Sequence, residues 1–450
     1  MRQFREAQLS LVPTWGLHQH TRELQMAARI LDEHPEIGAL VREDLVRGRR
    51  ADTGRPGLSG DQVVRIAWLK QIHGLSYREL EFHLQDSVAF RAFVGLGFEE
   101  KPSFQTLQAN VKRIRPETWE AIHRVLMEVA QVEGIEHGRK IRGDTTVVEA
   151  DIHEPTDSSL LWDCVRVAMR LMKRMAKLRP SLRRSFRDHT RRTKRRAYEI
   201  KFSGRRKDRQ RGYRDLIRVS TMVREQAQAV LRRVEGSSGD ELRALAEQLS
   251  GVLDLLDRVL DQTKRRILDG ESVPAPEKIV SIFEPHTDIL VKGQRDVQYG
   301  HKICLTGGSS SLILDCVIEV GNPRDSTLVE RTLERHMALF GEAPRQACFD
   351  GGFATKVNVQ RAKEMGVKDI AFHRKAGIEI SEMVRSAWVF RRLRDFRSGI
   401  EGCISTLKRA FQMSRCTWRG LQSFKAYVWS CVTSFNLIGL ARYRLSKAFA

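Results

Sequence analysis

An aspartate stands in a segment that otherwise has the composition of a buried strand. In "GRKIRGDTTVVEADIH" (residues 138–153), Asp144 is surrounded by β-branched residues and follows Gly143. These residue types predict a strand. An unpaired carboxylate would be costly to bury there. A bound metal ion would compensate for that cost, so the rest of the chain can be searched for further ligands.

A second aspartate ends an apolar stretch. Asp350 follows "RQACF" and precedes Gly351 and Gly352. In open α/β sheets, ligands bind at the carboxyl ends of strands, and glycines there let a phosphate or a backbone approach closely. A turn that begins at an aspartate before a helix explains this stretch equally well when it is taken alone.

A glutamate lies in a helix-like segment among cations. In "RDFRSGIEGCISTLKRAF", the periodicity places Arg394, Arg397, Glu401 and Lys408 on one polar arc beside an apolar one. Ion pairs at i,i+3 and i,i+4 would account for such an arc on an ordinary surface. A carboxylate that binds a metal beside residues that hold phosphates gives the same pattern.

Two strand aspartates and a helical glutamate are the combination that divalent-metal phosphoryl transfer requires. Mg²⁺ prefers carboxylate and water oxygens, and two ions about 3.5–4 Å apart can assist both the attacking and the leaving oxygen. We therefore predict that Asp144, Asp350 and Glu401 are catalytic metal ligands. The expected cofactor is Mg²⁺, two ions, with Mn²⁺ as a substitute. Arg397 and Lys408 would neutralise phosphates.

Other residues compete for these roles. Six acids are weaker candidates for metal ligands: Glu149, Asp151, Asp157, Asp163, Asp315 and Asp325. His153 and His301 fit structural or phosphate-contacting roles better than metal ligation. Trp418 could stack on an unpaired base, although core packing is the more common role of a tryptophan.

The charge of the chain is strongly positive and localised. The net charge is +22, and residues 166–218 contain 22 Lys or Arg against 4 Asp or Glu. Such a block favours a polyanionic partner, because Lys and Arg release counterions from phosphates. The predicted DNA contacts here are Arg183, Arg184, Arg191, Arg192, Lys194, Arg195, Arg196, Arg205, Arg206 and Lys207.

The location of the protein is suggested by its cysteines and its apolar segments. Seven scattered cysteines without a CxxC pair fit reduced intracellular thiols. The stretch "MRQFREAQLS" has no apolar signal core. Residues 426–440 are too short and too often interrupted by polar side chains to span a membrane. We expect a cytoplasmic protein with no membrane partner.

Helices dominate the first part of the chain. Residues 18–133 are mostly helical in pattern: Gly74 ends one helix, a capping box over residues 76–79 opens the next, and Ser103 caps another. This helix-turn-helix outline predicts DNA binding, with Tyr77, Arg78 and Lys112 as exposed contacts. A structural or dimerisation bundle is the alternative.

Strands and helices alternate from residue 280 onward. "GHKICLTGG" and "LILDCVIEVG" predict two strands, Asp325 or Ser326 is expected to cap a helix, and "RQACFD" and "KDIAFH" predict strands on either side of another helix. With the Asp144 strand, this is an α/β layer pattern. The predicted domains are 1–133 (helical, DNA-binding), 134–157 with 271–450 (catalytic), and 158–270 (a basic helical insertion).

These motifs resemble the DDE transposases of bacterial insertion sequences, and most closely the ISNCY-like group. "GDTTVVEADIHEPTDSSLLWD" is similar to the first-aspartate motif of that group and "FDGGFAT" to the second. The spacing Arg397-x3-Glu401-x6-Lys408 resembles the signature around the glutamate. The resemblance covers residues 55–440. It implies a ribonuclease-H-like catalytic core, in which a mixed sheet is flanked by helices.

Two features depart from the family pattern. The signature has a tyrosine where this chain has Arg394. Many relatives also carry a large insertion between the second aspartate and the glutamate, whereas here the long insertion follows the first aspartate. The docking of this insertion on DNA therefore cannot be transferred from them.

The resemblance implies a DNA transposase. Water would attack a phosphodiester at the element's end, and the freed 3′-hydroxyl would attack target DNA. The expected partners are double-stranded DNA, as terminal inverted repeats and target, and a second copy of the chain in a dimer or higher oligomer. A location on the bacterial nucleoid follows. The alternatives are a structure-selective nuclease on the same core and a non-catalytic DNA-binding regulator.

Overall fold

The chain forms two compact units. The computed structural model describes residues 18–48, 57–97, 99–237, 239–292, 296–373 and 377–448. Unit 1 comprises the residues up to 149 together with those from 301 onward, and unit 2 comprises residues 150–300. The stretch "MRQFREAQLS" lies outside the described residues.

Seven helices come first among the described residues of unit 1, and several of them begin or end at local signals. They are α1 Gln19–Glu33, α2 Glu36–Val46, α3 Gly60–His73, α4 Tyr77–Asp86, α5 Val88–Val94, α6 Phe104–Val111 and α7 Pro116–Val132. Gly74 ends α3 in the left-handed conformation, at φ 65°. Ser76 and Glu79 form a capping box on α4, and Ser103 caps α6. The three predicted boundaries are confirmed.

The strands within the described ranges belong to a mixed sheet. They are β1 Lys140–Glu149, β2 Asp288–Lys292, β3 Asp296–Gly307, β4 Ile313–Glu319, β5 Gln346–Phe349 and β6 Asp369–Phe372. In unit 1 the strand order is β4-β3-β1-β5-β6. β5 is parallel to both β1 and β6, and β4 is antiparallel to β3. The strand pattern predicted after residue 280 is confirmed, and β2 was not predicted.

Five helices complete unit 1: α12 Val329–Phe340, α13 Lys356–Glu364, α14 Ile380–Met383, α15 Ala387–Ala410 and α16 Leu421–Ala448. α15 packs along β1, β5 and β6. The expectation that Asp325 or Ser326 caps α12 is wrong, because the helix starts at Val329 after Leu328 without a side-chain cap. Asp325 instead pairs with Lys302 at 2.8 Å.

The N-terminal helices and the sheet share one hydrophobic core. α16 lies between them: Trp68 of α3 donates to the hydroxyl of Thr433 at 3.2 Å, and Asn436 donates to the carbonyl of Ile313 in β4 at 2.7 Å. His123 of α7 contacts the same carbonyl at 2.9 Å. The predicted domain boundary near residue 133 stays a prediction.

Unit 2 is mainly helical and has a hydrophobic core of its own. Its helices are α8 Asp157–Leu178, α9 Thr190–Phe202, α10 Arg206–Val234 and α11 Asp240–Ile267. β2 pairs with the first residues of β3, with Asp288 opposite Gly300. Among the described residues, no helix is both long and apolar enough to cross a membrane.

The buried side chain of Glu136 connects the segment before β1 with the turn between β3 and β4 through hydrogen bonds. Glu136 is 3% exposed. One carboxylate oxygen accepts from the backbone N–H of Gly138 at 3.0 Å. The other accepts from the backbone N–H and the hydroxyl of Ser310, at 2.9 and 2.7 Å. A side chain on Gly308 would collide with this carboxylate, since its Cβ would lie 2.1 Å from an oxygen.

We predict that Glu136→Ala lowers the free energy of unfolding by about 3 kcal/mol, because it leaves the buried N–H of Gly138 and two half-buried donors of Ser310 without their acceptor. Chemical denaturation measures the change. The control is Glu128→Ala, at an exposed position of α7, which should stay within about 0.5 kcal/mol of the wild type. Equal effects of the two substitutions would contradict the structural role of Glu136.

Candidate active site

The two aspartates are brought together by the parallel pairing of β1 and β5. Gly143 lies opposite Phe349 in this ladder. A side chain at residue 143 is excluded, because its Cβ would lie 2.4 Å from the Phe349 ring. Asp144 and Asp350 each follow one of these paired residues, so they stand side by side near the carboxyl end of β5.

α15 contributes the third acid and a cation. Ser386 caps the helix, and its buried residues face the sheet. Arg397 is among them and is 8% exposed. Glu401 follows one turn later, so both side chains are directed to the region above β1 and β5.

The guanidinium of Arg397 contacts all three acids. Its Nη2 donates to Glu401 at 2.6 Å, and its Nη1 donates to Asp144 at 3.2 Å. The same Nη1 lies 3.9 Å from a carboxylate oxygen of Asp350. The prediction that Arg397 and Glu401 share one face of the helix is therefore confirmed. The groups that Arg397 contacts in this structure are the three carboxylates.

The charge balance of this group determines the state of Arg397. Burial lowers the pKa of Arg397, but the hydrogen bond to Glu401 and the charges of Asp144 and Asp350 outweigh it, so the pKa lies above its ordinary value. Arg397 stays charged. Its Nε is buried without a hydrogen-bond partner among the described residues.

The same geometry bears on metal ligation. Within the described ranges, no three His, Cys, Asp or Glu side chains are arranged to hold a metal ion. The reason is visible at the proposed site, where the carboxylates are oriented toward a guanidinium. Asp350 also precedes a 3-10 turn, Gly351–Phe353, but its side chain makes no capping bond there.

A further acid lies next to Asp144. The backbone N–H of Thr145 donates to Asp144 at 2.7 Å, and its hydroxyl donates to Asp325 at 3.3 Å. Asp325 also accepts from Lys302 of β3 at 2.8 Å. The sequence offered Asp325 only as a helix cap or as a weaker candidate for a metal ligand, and nothing in it links Asp325 to Thr145 and Lys302.

Most of the competing residues are engaged elsewhere. Asp315 forms two hydrogen bonds with Arg335, at 2.6 and 2.7 Å. Asp157 pairs with Arg266 at 2.7 Å and Asp163 with Arg166 at 2.6 Å. His153 lies 3.5 Å from Asp163. His301 is fully buried against the ring of Phe424, which agrees with a structural role.

The candidate DNA contacts of the first helices differ in exposure. Arg78 and Lys112 are exposed, and the Arg78 guanidinium lies 4.9 Å from the ring centre of Phe104. The expected exposure of Tyr77 is wrong: its hydroxyl is buried without a partner among the described residues, and burial raises its pKa. Trp418 is 4% exposed and packs against Tyr427, so its ring is not available to a base.

The basic candidates of unit 2 lie on α9, on the first turn of α10 and in the turn before α9. All of them are exposed except Arg196, which is half-buried. Arg192 and Arg196 pair with Asp215, and Arg195 and Arg196 pair with Glu199. For seven others, the described part of the chain shows no carboxylate partner: Arg183, Arg184, Arg191, Lys194, Arg205, Arg206 and Lys207.

Comparison with known proteins finds two family models that match separate ranges of the chain. Residues 20–113 match a family model described as a transposase domain (DUF772), and residues 261–437 match one described as a transposase DDE domain. The second range contains Asp350 and Glu401 and begins after Asp144. No curated protein and no solved structure matches the chain.

The matched DDE domain implies a ribonuclease-H-like core, and the mixed sheet with flanking helices is consistent with it. The alternatives of a structure-selective nuclease and a non-catalytic regulator are not favoured by these matches. The two matched ranges together span more than half of the sequence, and the chain belongs to the DDE transposases of insertion-sequence type.

Proposed function

We propose that Asp144, Asp350 and Glu401 are the metal ligands of this transposase, and that it belongs to the ISNCY-like group. The observation that carries the assignment of the ligands is the convergence of three carboxylates on one cation, Arg397, at 2.6, 3.2 and 3.9 Å. These acids come from β1, the end of β5 and α15, so only the folded chain assembles them.

The donor set fits the divalent ions on which DDE transposases generally depend. Carboxylate oxygens are the ligands that Mg²⁺ prefers, and Mn²⁺ accepts the same type of ligand. The Arg397 guanidinium supplies positive charge where the carboxylates meet. We propose that it turns away from them when two ions bind and then contacts a phosphate of the DNA.

The residues of the chain position the reacting groups. Bound metal would activate the attacking oxygen and stabilise the leaving oxygen. First, a water oxygen attacks phosphorus at the element's end, the bond to the 3′-oxygen breaks, and a 3′-hydroxyl is freed. That hydroxyl then attacks a target phosphodiester in the same site and displaces a target 3′-oxygen. Arg397 and Lys408 neutralise the phosphate oxygens.

The basic surface of unit 2 would hold the DNA backbone. The seven exposed cations without a carboxylate partner are available to phosphates, whereas Arg192, Arg195 and Arg196 are partly neutralised by acids of the chain. Arg78 and Lys112 extend the contact in the N-terminal helices, which we propose act as a helix-turn-helix-like element. Pairing of two element ends requires a dimer or a higher oligomer.

The assignment of the ligands predicts that Asp144→Asn, Asp350→Asn and Glu401→Gln each abolish both chemical steps. Loss of outer-shell partners of a metal already costs about 10–100-fold, so loss of a ligand should cost more than about a hundredfold. The measurement is Mg²⁺-dependent cleavage and strand transfer on labelled DNA that carries the element's ends. DNA binding should persist.

The matched control is Asp395→Asn, an acid on α15 whose side chain is 70% exposed. Its activity should stay within about twofold of the wild type, as expected for a surface substitution. If all three substituted proteins remain active, the ligand assignment is wrong. Cleavage without joining would indicate a nuclease.

The position of Arg397 predicts a difference in metal-induced stabilisation. Arg397→Ala leaves three carboxylates facing one another, which should lower the free energy of unfolding by about 1–3 kcal/mol. The loss is smaller than for a fully buried ion pair, because Asp350 and Glu401 are 45% and 58% exposed. Mg²⁺ should recover part of this loss and stabilise the wild type less. Thermal melts with and without MgCl2, at constant ionic strength, measure both effects.

The control is Arg394→Ala, one turn earlier on α15. Arg394 is exposed, and its nearest acidic partner, Asp395, is 4.0 Å away. Its melting temperature and its response to Mg²⁺ should match those of the wild type. Equal Mg²⁺ responses in all three proteins would contradict the role proposed for Arg397.

The basic surface predicts a salt-dependent affinity for DNA. We expect replacement of Arg183, Arg191 and Lys194 by Gln to reduce the slope of log K against log salt by about 0.9 for each phosphate that the variant no longer neutralises. Fluorescence anisotropy with element-end DNA at several salt concentrations measures the slope.

The control carries the same change in net charge. Arg166, Arg224 and Arg265 are also in unit 2, and each pairs with a carboxylate. Replacement of these three residues by Gln should change the slope much less. Equal slopes for the two triple variants would show that net charge alone, and not this surface, determines binding.

A further inference from the structure

A second buried arginine lies beside the proposed site. Arg142 belongs to β1 and is 6% exposed. Side chains two residues apart in a strand point to the same face. Lys140, Arg142 and Asp144 therefore share the face of β1 on which α15 packs.

Arg142 is directed at the backbone of α15. Its Nη1 donates to the carbonyl of Phe396 at 3.1 Å, and its guanidinium lies 4.6 Å from the centre of the Phe396 ring. Its Nη2 reaches the hydroxyl of Ser311 at 3.5 Å. Across the described residues, no carboxylate pairs with Arg142, and its Nε has no hydrogen-bond partner.

This arrangement requires a glycine in α15. A Cβ on Gly399 would lie 1.8 Å from Nη1 of Arg142 and 2.6 Å from its Cζ, so any side chain there would displace the guanidinium. Gly402, one turn later, has nothing within 4 Å of its Cβ position. Glycine inside a helix costs about 1 kcal/mol relative to alanine, and at residue 399 the close approach of Arg142 accounts for it.

The contact involves residues that are close in sequence to those of the proposed site. Arg142 is two residues from Asp144, and Gly399 lies midway between Arg397 and Glu401. A buried cation without a carboxylate partner is unfavourable, so the contact is a poor source of stability. It does, however, determine how closely α15 can approach β1 and at which residue.

We propose that Arg142 is a positioning residue, which holds α15 through the backbone at Phe396 and Gly399 so that Glu401 meets Asp144 at the distance required for metal binding. This inference rests on the proposed ligand assignment. It predicts that the Arg142–Gly399 contact controls the affinity for metal and the rate of the chemical steps, with little effect on DNA binding.

The first comparison is Gly399→Ala against Gly402→Ala in the full-length protein. Each adds one methyl group to α15, but only the first meets Arg142. A displacement of about 1 Å can reduce a rate about a hundredfold. We expect Gly399→Ala to lower the single-turnover rate of cleavage to that extent and to raise the Mg²⁺ concentration for half-maximal rate. Gly402→Ala should match the wild type in both.

Arg142→Met tests the same contact without adding an atom near Gly399, so it covers the case in which Gly399→Ala does not fold. It removes a buried charge that lacks a carboxylate partner. The melting temperature should therefore change little, whereas the rate should fall and the Mg²⁺ requirement should rise. A purely structural role would lower the melting temperature and leave the Mg²⁺ requirement unchanged.

The outcomes separate this inference from the ligand assignment. If Asp144→Asn is inactive while Arg142→Met keeps the wild-type rate and Mg²⁺ requirement, the positioning role is overturned and the ligands stand. If Asp144→Asn is active, the ligand assignment fails, and the positioning role fails with it. A third outcome supports the inference. In it, both variants lose activity but keep their affinity for DNA, and higher Mg²⁺ restores the activity of Arg142→Met alone.

Discussion

Like charges that converge repel, and the proposed site depends on how this repulsion is offset. Asp144, Asp350 and Glu401 lie on three different elements and face one another around the guanidinium of Arg397. A single buried cation that contacts all three carboxylates stabilises an arrangement that would otherwise open. The same constraint explains why, in the part of the chain that the structure describes, the three proposed ligands are not arranged around a metal position: their oxygens are oriented toward a planar, monovalent group. In the proposed assignment, binding of divalent ions would exchange one source of positive charge for another.

The elements that carry these acids are rigid, and their packing leaves little freedom. The Phe349 ring fills the space beside Gly143, which fixes the pairing of β1 with β5. α15 packs across both strands. Sites built on strands and helices hold their geometry better than sites on loops. Unit 2 has a hydrophobic core of its own.

The sequence predicted what depends on local patterns. The strand around Asp144, the capping box on α4, the helix that carries Glu401 and the strand before Asp350 are all present. The sequence-based predictions were wrong where a residue distant in the sequence determines the contacts of a side chain. Asp325 resembled a helix cap, but Lys302 and Thr145 engage its carboxylate. Tyr77 is half-buried against neighbouring helices, and Asp215 neutralises two of the arginines proposed to contact DNA. Nothing in the sequence pairs Arg142 with Gly399, because that contact exists only after α15 packs on β1.

The buried arginines near the proposed site and the exposed cations of unit 2 differ in their environment. Arg397 and Arg142 are 8% and 6% exposed and act within a few ångströms on carboxylates or on the backbone. Apart from the half-buried Arg196, the cations of α9 and of its preceding turn face solvent, where their interactions are screened over a Debye length of about 8–10 Å at 0.1–0.15 M salt. Salt therefore weakens the interactions of these exposed cations far more than the contacts of Arg397 and Arg142. Ionic strength should thus act mainly on the exposed cations of unit 2, and less on the contacts that the buried guanidinium groups of Arg397 and Arg142 make.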